Sequence, residues 1–431
     1  MADDTPYIKW FRNSAPYINA HRGKTFVLMI SGEAIAHPNF DNIIHDIALL
    51  NSLGVNLVLI HGARPQIEAR VQQRGIESRF HQDLRITDSG TLACVCDAAG
   101  SVRAHIEALL SMGVANSPMH GAAIRVVSGN YVTARPIGVI DGVDLEHTGQ
   151  VRRIDVEAIQ RQLAQDNVVL ISPLGYSPTG EIFNVTLEDV VVETAASIRA
   201  DKLIVFDDMA GAIDAGELIR ECELSEARSL LGRVENPCGL HTVVRAAERG
   251  VPRCHLIGYT EDGALLEELY TRDGAGTLIS SDDYEELATA TIDDVGGILE
   301  IIAPLEQDGI LVKRSREVLE TEIHCFRVIK RDGVVIACAA LYPYPDQSSG
   351  EIACVATHPD YRRSDRGERL LRSLEKQARQ MGLSSVFVLT TRTAHWFQEQ
   401  GFVPSSIDAL PPGKQQLYNF QRNSKVFSKA L

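Results

Sequence analysis

The sequence predicts an α/β protein built in two parts: a mostly parallel sheet covered by helices on both faces, then a smaller α/β unit. Three observations predict it. Strand-like and helix-like segments alternate from residue 24 to 280, as successive βαβ units require. The chain then turns polar and acidic at Ser280–Glu286 (SSDDYEE), the composition of a linker. Beyond it, Asp332-Gly333 between two apolar runs marks a hairpin, and a short strand, a basic turn and an amphipathic helix follow within Gly350–Leu371. With about 150 residues as the usual domain scale, 431 residues imply two domains or more.

The elements follow in order. Pro6–Arg22 reads as a helical appendage, and its Tyr7, Ile8, Trp10, Phe11, Tyr17 and Ile18 offer more apolar surface than a terminal segment leaves unpartnered. Thr25–Ile30 and Leu57–His61 are apolar enough for buried strands. A helix lies between them near Asn42–Leu53, and another starts at Pro65, where proline suits a first turn. Further strands are expected at Asn167–Ile171, Leu203–Phe206 and His255–Ile257. In the second part a helix covers Ile292–Glu306, and strands His324–Lys330 and Val334–Tyr342 flank the Arg331-Asp332-Gly333 turn. Ile352–Ala356 is a short strand ended by His358-Pro359, and from Glu368 onward Leu370, Leu371, Leu374 and Ala378 recur at helical spacing. A strand Val386–Leu389, a short helix His395–Gln400 and a polar tail complete the chain. The expected divisions are an oligomerising appendage 1–23, a first domain 24–280, a linker 281–286 and a second domain 287–431.

Composition narrows the partners. A net charge of −15, with no Lys/Arg tract interleaved with aromatics, argues against nucleic acid. No run approaches the ~18 apolar residues that span a bilayer, so no membrane partner and a cytoplasmic location are expected. Cysteines at 94, 96, 222, 238, 254, 325, 338 and 354 form no C-x-x-C pair and have no histidine at ligand spacing. Reduced thiols and no metal are expected.

The chemistry concentrates in Gly350–Leu371. Arg362, Arg363, Ser364 and Arg366 surround Gly367, and Glu368 follows at the start of the helix. Backbone N–H groups at a helix start attract phosphate, guanidiniums add bidentate charge, and a glycine lets the ligand approach. An ordinary strand-turn-helix connection with solvated arginines is the alternative. The segment resembles the acyl-CoA-binding motif of the GNAT superfamily of N-acetyltransferases, R/Q-x-x-G-x-G/A, here Arg362-x-x-Asp365-x-Gly367. That resemblance implies acetyl-CoA as co-substrate, with its pyrophosphate on residues 362–368 and its thioester against the backbone of Cys354, Val355 and Ala356. Acetyl transfer to an amine needs a base, donors for the thioester oxygen and a proton for the departing thiolate. Glu351 is the candidate base, and Thr390 in VLTTR the candidate proton donor, with Thr391 as rival and a helix-capping hydroxyl as the plain alternative. Passage of the acetyl group through Cys354 stays open, although no histidine lies near it in sequence.

Residues 24–280 resemble the amino acid kinase family through HGARPQIE (His61–Glu68), LRITD (Leu84–Asp88), FNVTLED (Phe183–Asp189), ADKLIVFDD (Ala200–Asp208) and YTRDGAGTLI (Tyr270–Ile279). The resemblance implies a three-layer α/β/α sandwich. It departs where phosphoryl transfer needs cations and a bare glycine loop. Met29 stands at the position of a lysine, Ala63-Arg64 interrupts the loop, and no lysine occurs between Lys202 and Lys313. A kinase fold without kinase activity is expected; LRITD either holds a ligand or is kept for packing. In arginine-sensitive relatives the effector site maps to Lys202, His255, Asp273 and Gly276.

Acceptor carboxylates call for cations, and Lys313, Arg314, Arg316, Arg392, Arg422 and Lys425 are the candidates, a solvated helix face being the alternative for the first three. The whole pattern, with KRSREVLE, GEIACVATHP, RGERLL and LTTRTAHWFQEQGF, resembles the bacterial amino-acid N-acetyltransferase family that opens arginine biosynthesis. It implies L-glutamate as acceptor, L-arginine as effector, and a homo-oligomer, a hexamer, built partly through the N-terminal helix. A working kinase with an accessory domain and a non-catalytic arginine sensor are the competing readings.

Overall fold

The computed structural model describes residues 6–113, 119–235, 237–271, 274–280, 285–331, 333–361, 365–416 and 424–431, with backbone alone at 6, 7, 9, 10, 13, 360 and 416. The chain divides into two compact units, Met1–Asp282 and Asp283–Leu431.

The first unit is built on eight strands: β1 (Thr25–Ile30), β2 (Asn56–His61), β3 (Val126–Ser128), β4 (Val168–Ile171), β5 (Lys202–Asp207), β6 (Glu221–Glu223), β7 (Arg253–Gly258) and β8 (Thr277–Ser280). They lie in the order β6-β8-β7-β5-β1-β2-β4-β3, parallel except where β7 meets β8. The central strands carry almost no polar residue because both faces are covered. Alternation along each strand then sorts the side chains into two cores. Val27, Met29, Val58 and Ile60 pack with α5 (Leu187–Ser197) and α6 (Pro237–Glu248), while Phe26, Leu28, Leu57 and Leu59 pack with α2 (Phe40–Ser52) and α4 (Ser89–Leu110). This is the three-layer sandwich. The other helices of this unit used below are α1 (Pro6–His21), α3 (Arg64–Gln73) and α7 (Ala264–Tyr270). A closed four-stranded barrel formed by Val132–Pro136, Thr148–Ile154, Leu174–Tyr176 and Ile182–Val185 was not expected. Its strands are short and carry little apolar alternation, so nothing local announces them.

The second unit is a seven-stranded sheet of β9 (Glu286–Thr289), β10 (Phe326–Arg331), β11 (Val334–Tyr344), β12 (Ser349–Thr357), β13 (Ser385–Thr390), β14 (Val403–Ser405) and β15 (Lys425–Ala430), in the order β9-β10-β11-β12-β13-β15-β14. Only β12 and β13 run parallel. α8 (Val295–Gln307) packs Val295, Ile298, Ile301 and Ile302 on one face, beside the short α9 (Arg316–Glu322). α10 (Arg366–Gln380) buries Leu370, Leu371, Leu374 and Ala378 on the other, with α11 (Ala394–Glu399) and α12 (Pro412–Gln416) nearer the chain end. The hairpin forms where expected, with Gly333 at φ +77° supplying the left-handed turn and Asp332 outside the described residues. The polar tail was misread: β15 inserts between β13 and β14 and buries Val426 and Phe427, a signal hidden by the flanking lysines 425 and 429. Among the described residues no helix is long and apolar enough to cross a membrane.

Candidate active site

The backbone of β12 sets the site. Its register against β11 slips between Cys338 and Ala340, so Cys354 and Val355 together face a single residue. Cys354 sits at φ +53°, a bulge that bends the strand. Pairing with parallel β13 covers only Ser349, Gly350 and Glu351 and then stops, although β13 continues to pair with β15 as far as Thr390. The two parallel strands therefore diverge just past Glu351, and the backbone of residues 352–356 loses β13 as a partner.

Glu351 stands at that divergence with its side chain 8% exposed, and its carboxylate pairs with Lys414 Nζ of α12 at 2.7 Å. The Cys354 side chain points into the α8 core. Burial pushes its thiol up to about 11 although Arg314 pulls it down, so it is protonated and inert at neutral pH. Thr390 ends β13, and its hydroxyl oxygen accepts from the backbone N–H of Thr393 at 3.0 Å and of Arg392 at 3.3 Å, with Thr393 Oγ1 2.8 Å away. The hydroxyl closes the turn ahead of α11 and does not cap it, the N-cap there being Thr393, which makes no side-chain cap bond.

The basic turn is described only in part. Arg362, Arg363 and Ser364 lie outside the described residues. Arg366 is held within the protein: its Nε donates to Glu285 at 2.6 Å and its Nη1 to the Tyr361 carbonyl at 2.9 Å. Arg369 holds the same carboxylate at 2.8 Å, so Glu285 anchors the first turn of α10. Glu368 pairs with Arg372 along the helix surface. A Cβ on Gly367 would meet the Trp396 ring at 3.2 Å, so packing favours a glycine there. Val355 is half-buried and Ala356 buried on the bulged strand.

Of the acceptor-side cations, Arg314 is the one built into the site. Its backbone N–H donates to Glu306 at 2.9 Å and its Nη1 to the Val312 carbonyl at 3.0 Å, and the guanidinium lies in the field of Cys354, Tyr342 and Glu322. Tyr342 donates to Glu322 at 2.7 Å and is the cross-strand partner of Glu351. Arg316 instead pairs with Glu320 at 2.8 Å and is 66% exposed, the solvated helix face. Arg392 is exposed, and Arg422 lies outside the described residues. Sequence reasoning missed Lys414, Tyr342, Glu322 and Glu285, since each lies far along the chain from the group it serves and in no recognisable motif.

In the first unit Lys202 is buried with Nζ 3.4 Å from His255 Nε2. His255 Nδ1 is 2.6 Å from Glu268 Oε1, and Glu268 also accepts from the N–H groups of Ala275 at 2.9 Å and Gly276 at 2.8 Å. Glu268 occupies those N–H groups and is a buried acid of this cluster, and Asp273 lies outside the described residues. His21, the last residue of α1, packs edge-on against Phe26 and Tyr270 at 5.3 and 5.4 Å. Both His21 ring nitrogens and the Tyr270 hydroxyl are buried without a hydrogen-bond partner.

The kinase-like cleft is a separate cavity of roughly 430 Å³ at the carboxyl ends of the parallel strands. Glu33, Asp83, Glu188, Asp207 and Asp208 line it against Arg64 and Arg85, and Arg85 is already paired with Glu68. Burial, and then Asp208, pushes the Asp207 carboxyl up to about 7, a sign of crowded negative charge. Met29 lies on its wall. Five carboxylates and no lysine cannot neutralise a triphosphate. Among the described residues no group of three or more His, Cys, Asp or Glu could hold a metal ion.

A bulged strand parting from its parallel neighbour beside a buried carboxylate, ahead of a basic turn and helix, defines an acyl-CoA-dependent acetyltransferase of the GNAT type. The Acetyltransferase (GNAT) family model matches residues 298–402 and the Amino acid kinase family model residues 24–258. The chain is 58% identical to the amino-acid acetyltransferase of Azotobacter vinelandii over 99% of both chains, and 55% identical to that of Pseudomonas aeruginosa with the same coverage. A crystal structure of N-acetylglutamate synthase from Neisseria gonorrhoeae complexed with coenzyme A and L-arginine aligns over 99% of this chain and 100% of that one, at TM-score 0.84 and 36% identity. The same enzyme complexed with coenzyme A and N-acetyl-glutamate aligns at 0.63 and 37%, with the same coverage. The chain belongs to the amino-acid acetyltransferase family, and its co-substrate is acetyl-CoA.

Two outcomes follow for the first unit. Burial pushes His21 down to about 2 and His61 and His255 down to about 4, well below the ordinary 6.5. Between these values the unfolded chain binds more protons than the folded one, so stability is lost as pH falls below about 6.5, by on the order of 1.4 kcal/mol per pH unit per histidine. Calorimetric scans at pH 7.5 and 5 should show the lower-pH sample melting earlier. In Gly276→Ala the new Cβ would fall 2.2 Å from the Leu256 carbonyl oxygen. A melting temperature lowered by several degrees is expected, with roughly 1–3 kcal/mol lost to overpacking.

Proposed function

We propose that the protein transfers the acetyl group of acetyl-CoA directly to the α-amine of L-glutamate, giving N-acetyl-L-glutamate and CoA in the cytoplasm, under regulation by L-arginine. The observation that carries this reading is the buried Glu351 carboxylate at the point where β12 and β13 part. The acceptor's ammonium loses a proton to Glu351, directly or through water, and the neutral amine attacks the thioester carbonyl. Backbone N–H groups beyond the bulge stabilise the oxyanion. The C–S bond then breaks and the thiolate takes a proton.

Thr390 is the group we assign to give that proton: with its oxygen accepting two backbone N–H bonds, its hydrogen is directed to Thr393 Oγ1 at 2.8 Å and turns from there to the thiolate. Direct attack is supported by the protonated, core-facing Cys354 thiol. Glutamate as acceptor is supported by Arg314, and by the relative solved with N-acetyl-glutamate. Arginine regulation is supported by the relative solved with L-arginine, and by the orphaned polar atoms of His21 and Tyr270 beside Lys202, His255 and Glu268. There Lys202 would meet the effector's carboxylate and Glu268 its guanidinium. Exposed Ile8 and Phe11 on α1 suit the surface of a hexamer.

Glu351→Gln should lower turnover near neutral pH by about a hundredfold or more while leaving the acetyl-CoA KM nearly intact. CoA release read by a thiol reagent checks this, and unchanged turnover removes Glu351 from the mechanism. With the same assay, glutamate should exceed glutamine and aspartate by about tenfold or more in kcat/KM. Equal rates would reject glutamate as the preferred acceptor.

A further inference from the structure

The pairing of Glu351 with Lys414 has a chemical meaning beyond holding a base in place. Among the described residues the Lys414 ammonium and the Glu351 carboxylate pair with each other, while the Lys414 backbone N–H donates to the Pro411 carbonyl at 2.8 Å. The pair is 8% and 23% exposed, so neither charge is relaxed by bulk water. Lys414 comes from α12, a five-residue helix remote in sequence from β12, held by Gln415 Nε2 to the carbonyls of Leu410 at 2.7 Å and Asp408 at 3.1 Å. An α-amino acid carries an ammonium and a carboxylate on one carbon. Presented to this pair, it can trade one ion pair within the protein for two across the interface, ammonium to Glu351 and α-carboxylate to Lys414.

We propose that Glu351 and Lys414 together read the zwitterion of the acceptor, Lys414 being the residue that binds its α-carboxylate. Resting on the reading of Glu351 as base, this deepens it by assigning specificity to a second side chain. While the site is empty the two charges satisfy each other, which offsets the cost of burying either alone. When the amino acid arrives, the same two groups hold the nitrogen next to the thioester and fix the carbon that bears it. Arg314, on the Tyr342 side of Glu351, is left for the carboxylate at the far end of the acceptor side chain. A simple amine gains only half of this exchange and must leave Lys414 unpaired.

The test compares L-glutamate with 4-aminobutyrate, which is glutamate without its α-carboxylate, on the full chain, the second compound being read as substrate or as competitor against glutamate. Lys414→Met is expected to raise the glutamate KM by about tenfold or more, the range for one charge-assisted bond, with kcat within about threefold. It should leave the constants for acetyl-CoA unchanged and let 4-aminobutyrate bind as well as before or better, since no lysine is then left unpaired, and Lys414→Arg should restore most of the glutamate KM. An unchanged glutamate KM overturns the proposal. So does an equal loss on both amines, or a fall confined to kcat, since either would mean that Lys414 only orients Glu351. Lys414→Gln, with a melting curve, repeats the comparison should the methionine variant fold poorly. Glu351→Gln separates the two claims: full turnover there defeats the base while the glutamate KM of Lys414→Met still reports on the zwitterion.

Discussion

The end of hydrogen bonding between β12 and β13 after Glu351 is the constraint on which the second unit depends. A parallel sheet that stayed paired would have no free donors to offer a thioester and no room for an acyl chain between strands. The break is forced from within the strand. Cys354 takes a left-handed backbone that costs a non-glycine residue roughly 1–2 kcal/mol, and the burial of its side chain among Val295, Ile298 and Cys338 holds it there. A core residue thus fixes the shape of the backbone that a co-substrate meets. Glu351 owes its burial to the same geometry, being the last residue in register before the strands part.

The first unit keeps a cleft at the carboxyl ends of its parallel strands, where sheets of this kind place ligands, and lines it with five carboxylates against two arginines. Among the described residues three of the buried polar atoms that lack partners gather at one place, the His21 ring and the Tyr270 hydroxyl on α1 and α7, with single ones at Gln66, His81 and Thr194 elsewhere in the unit. Buried polar atoms without hydrogen bonds are costly in a resting protein.

Much of the fold was legible because its signals are local. Unbroken apolar runs at Thr25–Ile30 and Leu57–His61 can only be strands covered on both faces, and Gly333 needs its positive φ at one turn. The barrel strands and β15 were not legible, since short segments with polar flanks form only when distant partners present their edges. In the site, Glu351 and Arg314 sit in motifs and were readable. The hold of Glu285 on Arg366 was not, because the sequence could not show Glu285 folding back beneath α10. Lys414 in PPGKQQ had no signal whatever, because its importance comes only from α12 being carried across to β12. Asp273 came from the resemblance to arginine-sensitive relatives, and Glu268 had no such signal because it sits in a helix, where acids are common.

The contact of His21 with Phe26 and Tyr270 ties the last residue of α1 to the first strand of the sheet and to the last residue of α7. A fusion partner or affinity tag attached ahead of this helix would therefore act through His21 on the packing of Phe26 and Tyr270. Preparations that differ only in what is joined to the helix would then differ in the melting of the first unit while the second keeps its own.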